Sequence, residues 1–423
     1  MKSQTITGTG LGLYFGCFVM AALLGLPRMY TYLAASAVGA LTVAYAMYTQ
    51  QWQVERSALN RWQCVVGLFL GIVCVSYFIN RDSYDVSLTL KVIGYASVFC
   101  VSSTVAMLTG YKSMRACMNS YLTCLLFAIV VTLAVNNTNS HNHRLLGPTH
   151  KDDIQGSGLH HNEVGLLGMT TVMLATISGW RAVLLLTPPS VYIAYLSGSR
   201  GSMLGIVIAL LTFAVAKEIL AKSGQRAFAV FPKRAVYLAA GGFVAMSIGL
   251  VLSWDFVIDD VLQLNSENRG LSSGFTGRLD VWEGMLNHWR KNPVVGQGYG
   301  IVRGEARSLG ETADGGYLLL TSELGMAGLF LFLALIYQTF KSSLWGILHL
   351  GDCLSITTLV FLAAFCFINI FESRFVGTGS IGLGIFIYLA SLSTYFPRHE
   401  VSVADGAQSE QAMANTNIQR ALL

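Results

Sequence analysis

Apolar residues run in blocks along this chain, and polar residues collect between them. Blocks recur at about 11–26, 30–48, 62–78, 90–108, 121–135, 164–180, 182–196, 203–220, 235–252, 317–340, 354–370 and 381–395. Most approach the roughly 20 residues that a helix needs to cross the hydrocarbon core, and a helix satisfies its own backbone groups in lipid. The pattern predicts an all-α polytopic membrane protein with about twelve transmembrane helices. The block holding Pro188 and Pro189 is expected to kink, because proline removes a helix donor and clashes with the preceding turn.

Composition agrees. With 53% hydrophobic and 12% charged residues, the chain has too few polar groups to cover a water-soluble surface. The first block is long enough to stay as a span rather than be cleaved as a leader. The eight cysteines lie in or beside apolar blocks without metal-ligand spacing and read as packing residues.

Basic residues sort by side. Lys2, then Arg56 and Arg61, Lys112 and Arg115, Arg181, and the cluster Lys222, Arg226, Lys233 and Arg234 fall in alternate connections. Short cytoplasmic loops are enriched in Lys and Arg, so both termini are expected inside. Segments 136–162, 197–202 and 253–316 then face outward. The last is too long for a bare connection before the tenth helix. Its Val281, Trp282, Met285, Leu286 and Trp289 share one helical face, so a helix is expected over 281–289. The membrane unit is taken as 1–396 and the polar tail 397–423 as disordered.

The outward segments carry the candidate chemistry. Arg200 sits in Ser197-Gly198-Ser199-Arg200-Gly201-Ser202, Arg278 in a Thr276-Gly277-Arg278 turn, and Arg144 in His143-Arg144-Leu145. Arginine offers a fixed fork of donors that suits phosphate oxygens, and it keeps its charge. Snorkelling to lipid headgroups is the plainer role for such residues. His160-His161-Asn162-Glu163-Val164-Gly165 opens a helix, and Asp314-Gly315-Gly316-Tyr317 opens another. Asp314 suits either a general base or a helix N-cap, and Glu163 is the rival base or a favourable charge at a helix start. Glu323, inside an apolar block, is expected to pair with an internal arginine or a backbone group. Five histidines crowd residues 141–161 beside Asp152 and Asp153, without the spacing of a helical metal site.

In order and spacing these motifs, with Trp282 and the run Asn292-Pro293-Val294-Val295-Gly296-Gln297-Gly298-Tyr299-Gly300, resemble the O-antigen polymerase and ligase superfamily (Wzy and WaaL proteins) over about residues 140–335. The resemblance implies a bacterial inner-membrane enzyme with its site facing the periplasm. It implies an inverting, metal-independent glycan transfer that needs no cofactor, from an undecaprenyl diphosphate-linked donor to a glycan acceptor. Arg200 and Arg278 match the arginines that hold the diphosphate; Arg144, Trp282 and Tyr317 join them as substrate-binding positions. Asp314, Glu163 and His161 are the catalytic candidates. Family ligases usually carry a His-Asn pair where this chain has Ala313-Asp314-Gly315-Gly316, so the polymerase is the favoured branch and the ligase the alternative. A chain-length co-polymerase is a partner by family association, and nucleic acid is not. The carboxylate before the tenth helix also resembles that of the SEDS peptidoglycan polymerases. A transporter or flippase would show paired halves with matching broken helices, and no such symmetry is visible.

Overall fold

The computed structural model describes residues 2–23, 37–45, 48, 61–138, 161–197, 199–222, 274–303, 315–372 and 383–394. The helices are α1 (Lys2–Leu23), α2 (Arg61–Ile79), α3 (Val86–Thr138), α4 (His161–Ser178), α5 (Trp180–Leu196), α6 (Arg200–Lys222), α7 (Gly274–Lys291), α8 (Gly316–His349) and α9 (Cys353–Phe371), followed by α10 (Leu383–Thr394). Among the described residues there is no strand, and five helices are long and apolar enough to cross a membrane: α2, α6, α8, α9 and the first part of α3. The protein is an all-helical membrane protein. Of the block at 30–48, residues 37–45 and 48 are described and are helical; the block at 235–252 and the tail 397–423 lie outside the described residues.

One expectation fails outright. The blocks at 90–108 and 121–135 were expected as two helices joined by a basic loop, yet α3 runs unbroken for 53 residues. The sequence between them, Thr109-Gly110-Tyr111-Lys112-Ser113-Met114-Arg115, holds no proline, and its polar residues are tolerated on a helix. Polarity marks a membrane boundary; it does not by itself end a helix.

Small residues let the helices approach closely, as expected where no hydrophobic drive separates helix from lipid. On α1, Gly12 lies against the Cys117 carbonyl and Ser120 of α3, and Gly16 against the Cys124 Sγ. Phe15 meets Tyr121 edge-on, with ring centroids 5.9 Å apart. Gly168 of α4 rests on the Ser190 carbonyl of α5, and Gly179, at φ 91°, makes the turn between these helices. Phe69, Tyr95, Phe99 and Phe332 form an aromatic core between α2, α3 and α8. The Trp62 indole donates to Thr339 Oγ1 at 3.1 Å across that interface. Exposed Leu68, Phe78, Leu184, Leu185 and Phe330 offer an apolar surface suited to lipid.

Asp352 caps α9, accepting from the Ser355 N–H at 2.5 Å and the Ser355 hydroxyl at 2.8 Å. Removing such a cap costs about 1 kcal/mol. Asp352→Ala is therefore expected to lower the thermal midpoint modestly without changing activity. An unchanged midpoint in a melt of the purified protein would contradict the cap.

The feature that sets the site is a break in α8. At Gly325 the backbone leaves the helix (φ 66°, ψ −171°). A continuous helix would bond the Met326 and Ala327 N–H groups to the Ser322 and Glu323 carbonyls. Instead the segment that follows α7 enters the gap and takes up all four groups. The Ser322 carbonyl accepts from the Gln297 N–H and the Glu323 carbonyl from the Gly298 N–H, both at 2.9 Å. The Met326 N–H donates to Pro293 at 2.9 Å, and the Ala327 N–H to Val294 at 3.2 Å. Each bond lost by the helix is thus replaced, which a buried backbone demands. This strap enters because Gly296 and Gly325 present no side chain where the two backbones touch. Ser76 of α2 and Asn80, just past its end, fasten the crossing from the other side, through the Glu323 and Gly296 carbonyls.

Candidate functional site

Arg200 is placed by a serine turn. The Ser197 hydroxyl donates back to the Ala194 carbonyl, closing α5. Ser199 caps α6: its carbonyl accepts from the Met203 N–H at 3.1 Å, and its hydroxyl donates to Ser202 Oγ at 2.9 Å. Arg200 is the first residue of α6 and half-buried. Gly165, in the first turns of α4, lies on this turn; a methyl group there would sit 2.5 Å from the Ser199 Cβ and 2.9 Å from Ser197 Oγ. The start of α4, which carries His161 and Glu163, is thereby held against the turn that carries Arg200.

A second set of contacts brings α7 and α8 to the end of α9. Gly315 precedes α8 at φ 101°, and a methyl group on it would lie 2.8 Å from the Trp282 Nε1. Gly316 lies against the Asn369 side-chain oxygen and the Glu372 carbonyl. The Tyr317 hydroxyl donates to the Cys366 carbonyl at 3.1 Å, one turn before Asn369. The two sets meet at Glu372: a methyl group on Gly201 would sit 2.6 Å from its Oε1. The beginnings of α4, α6 and α8, the body of α7 and the end of α9 therefore share one end of the bundle.

Glu323 is fully buried below this junction. The Arg303 N–H donates to its Oε1 at 3.3 Å, and the Arg303 guanidinium stands 3.9 Å from its Oε2. The pairing expected from the sequence is present, and it ties the end of the strap to the first part of α8. Arg303 also lies over the Tyr299 ring, which stacks on Tyr95 of α3 at 4.4 Å.

Arg278 lies inside α7, which begins at Gly274, so Thr276-Gly277-Arg278 is helical rather than the turn expected before a helix at 281–289. The helix starts seven residues before the apolar face from which it was read, because residues 274–280, mostly polar or small, tolerate helix without adding to that face. Arg278 stands one turn before Trp282 on that helix. His161 and Glu163 are placed as backbone in the first turn of α4. Asp314 and Arg144 lie outside the described residues. The Tyr317 hydroxyl is engaged with α9, which makes this residue a tie between helices.

Asn369 and Glu372 went unremarked in the sequence, although both are buried at this junction (1% and 4% exposed). The available signal was their placement: a polar and an ionisable residue at the end of a strongly apolar span are costly there and are retained for a reason.

The Arg200 turn, the start of α4, Trp282 and the start of α8 lie together at one end of an all-helical membrane bundle. Residues 182–333 match the family model Wzy_C, described as O-antigen ligase. The match takes in Arg200, Arg278, Trp282 and Tyr317, and it agrees with the O-antigen ligase and polymerase superfamily indicated by the motifs. It supports a glycosyltransferase-type enzyme. No curated protein matches the chain.

Proposed function

We propose that the protein transfers glycan from an undecaprenyl diphosphate-linked donor at the periplasmic face of the bacterial inner membrane, polymerising repeat units of O-antigen or exopolysaccharide. The observation that carries this reading is the convergence of the Arg200 turn, the α4 start, Trp282 and the α8 start within and beside the family-matched segment.

The acceptor hydroxyl oxygen attacks the anomeric carbon of the donor sugar from the face opposite the leaving group. The bond from that carbon to the diphosphate oxygen breaks, and undecaprenyl diphosphate departs with the electron pair. Arg200 and Arg278, helped by Arg144, hold the diphosphate and stabilise the charge that grows on it. Asp314 or Glu163 takes the acceptor proton, with His161 donating to sugar or phosphate. Fixed guanidinium charges supply the stabilisation a metal ion gives elsewhere. Trp282 lines the sugar site beside Gly315. Apolar grooves between helices take the polyprenyl tails, and a chain-length co-polymerase is the expected partner.

The family description favours one alternative acceptor, lipid A-core, which would make the protein a ligase. Mixing the purified protein with one synthetic undecaprenyl diphosphate-linked repeat unit, without metal, separates the two. A ladder on a gel that is lost in Arg278→Ala is the expected result. Transfer only to added lipid A-core makes it a ligase, and no product from either acceptor refutes both readings.

A further inference from the structure

We propose that Glu372 is a positioning residue for Arg200, holding the guanidinium-bearing first turn of α6 in place for a diphosphate. The inference rests on the reading of Arg200 as a diphosphate ligand. Glu372 closes α9: its N–H donates to the Ile368 carbonyl at 2.8 Å, and its own backbone is extended. Its carboxylate reaches one neighbour and its carbonyl another. The carboxylate lies on Gly201, where a methyl group would come within 2.6 Å of Oε1. The carbonyl lies on Gly316, where a methyl group would come within 3.1 Å. One residue therefore fixes the starts of α6 and α8 against each other.

The electrostatics point the same way. A carboxylate only 4% exposed at the end of an apolar helix is costly unless cationic or donor groups meet it. Arg200 immediately precedes the glycine on which this carboxylate rests. In a poorly screened setting, a fixed negative charge packed against the first turn of α6 restrains the arginine that opens that turn. The restraint orders the arginine before the ligand arrives, so less freedom is lost on binding. The glycine at 201 follows from this arrangement, since any side chain would displace the carboxylate.

The test is binding of farnesyl diphosphate to the full-length protein in detergent, read by calorimetry, with a ligand-free melt to confirm folding. Glu372→Gln keeps the shape and removes the charge; it is expected to weaken binding at least about tenfold, one decade being the effect of losing about 1.4 kcal/mol. Glu372→Asp should recover part of that loss. Gly201→Ala, which leaves both charged residues in place, should weaken binding similarly. Adding Glu372→Gln to Arg200→Ala should cost nothing further, because the carboxylate acts through the arginine. Wild-type affinity in Glu372→Gln, or losses that add in the double variant, would overturn the positioning role while leaving Arg200 as a ligand. Failure of the wild type to bind the diphosphate would overturn the ligand reading and the positioning role together.

Discussion

Arg200→Ala is expected to reduce glycan transfer by about 10²–10³-fold, the effect of removing one preorganised group that meets charge developing in a transition state. The residue opens α6 directly after the Ser199 cap, and neither the cap nor the Ser199–Ser202 hydrogen bond uses its side chain. The variant should therefore still form α6, with a lowered melting midpoint, because the buried Glu372 carboxylate loses a neighbouring cation. Arg200→Lys should fall between the two, since an ammonium keeps the charge and loses the two-pronged geometry. Initial rates with a lipid-linked repeat unit, measured across donor concentrations, would show the effect. Activity within a factor of two of the wild type would remove Arg200 from the site and leave it a headgroup-facing residue.

Gly325→Ala should be the most damaging single-methyl change in the described residues. Its dihedrals lie in a region that is essentially reserved for glycine, where another residue costs on the order of 1–3 kcal/mol. The added methyl would also drive into the Val294 carbonyl of the strap. The four crossed hydrogen bonds depend on that approach, and α7 reaches α8 through them and through the Ser322 hydroxyl on the Met285 carbonyl at 2.8 Å. Loosening the strap shifts α7, and with it Arg278 and Trp282. A lowered thermal midpoint together with loss of transfer is expected. Gly67→Ala, on α2 with open space around it, is the matched control and should be neutral or slightly stabilising. Equal melts for the two variants would mean that the strap does not hold the helix break.

Part of the candidate site was legible along the chain because its signals are local. Arg200 announced itself as a charge between two apolar blocks separated by a few small residues. The face of α7 was readable from spacing, and Met285 is indeed buried against Leu319 and Val302, with Val281 and Trp282 beside it. Glu323 was recognisable as a charge that needed a partner, though which arginine answers it was not. Glu372 escaped notice because its meaning lies in Gly201, far away in sequence, and a glycine carries no pattern of its own.

By itself, then, the sequence determined that the chain is helical and membrane-embedded, where most of the described helices run, and that Arg200 sits in a short turn between two of them. These follow from burial of apolar residues and backbone self-satisfaction in lipid, which act within one helix at a time. Only the tertiary structure decided that α3 continues through a polar stretch, that α8 breaks at Gly325, and that Glu372 lies against the starts of both α6 and α8. Each of these depends on groups brought together from distant parts of the chain. A strap can replace a helix's hydrogen bonds, and a glycine can admit a neighbour, only once that neighbour is in place.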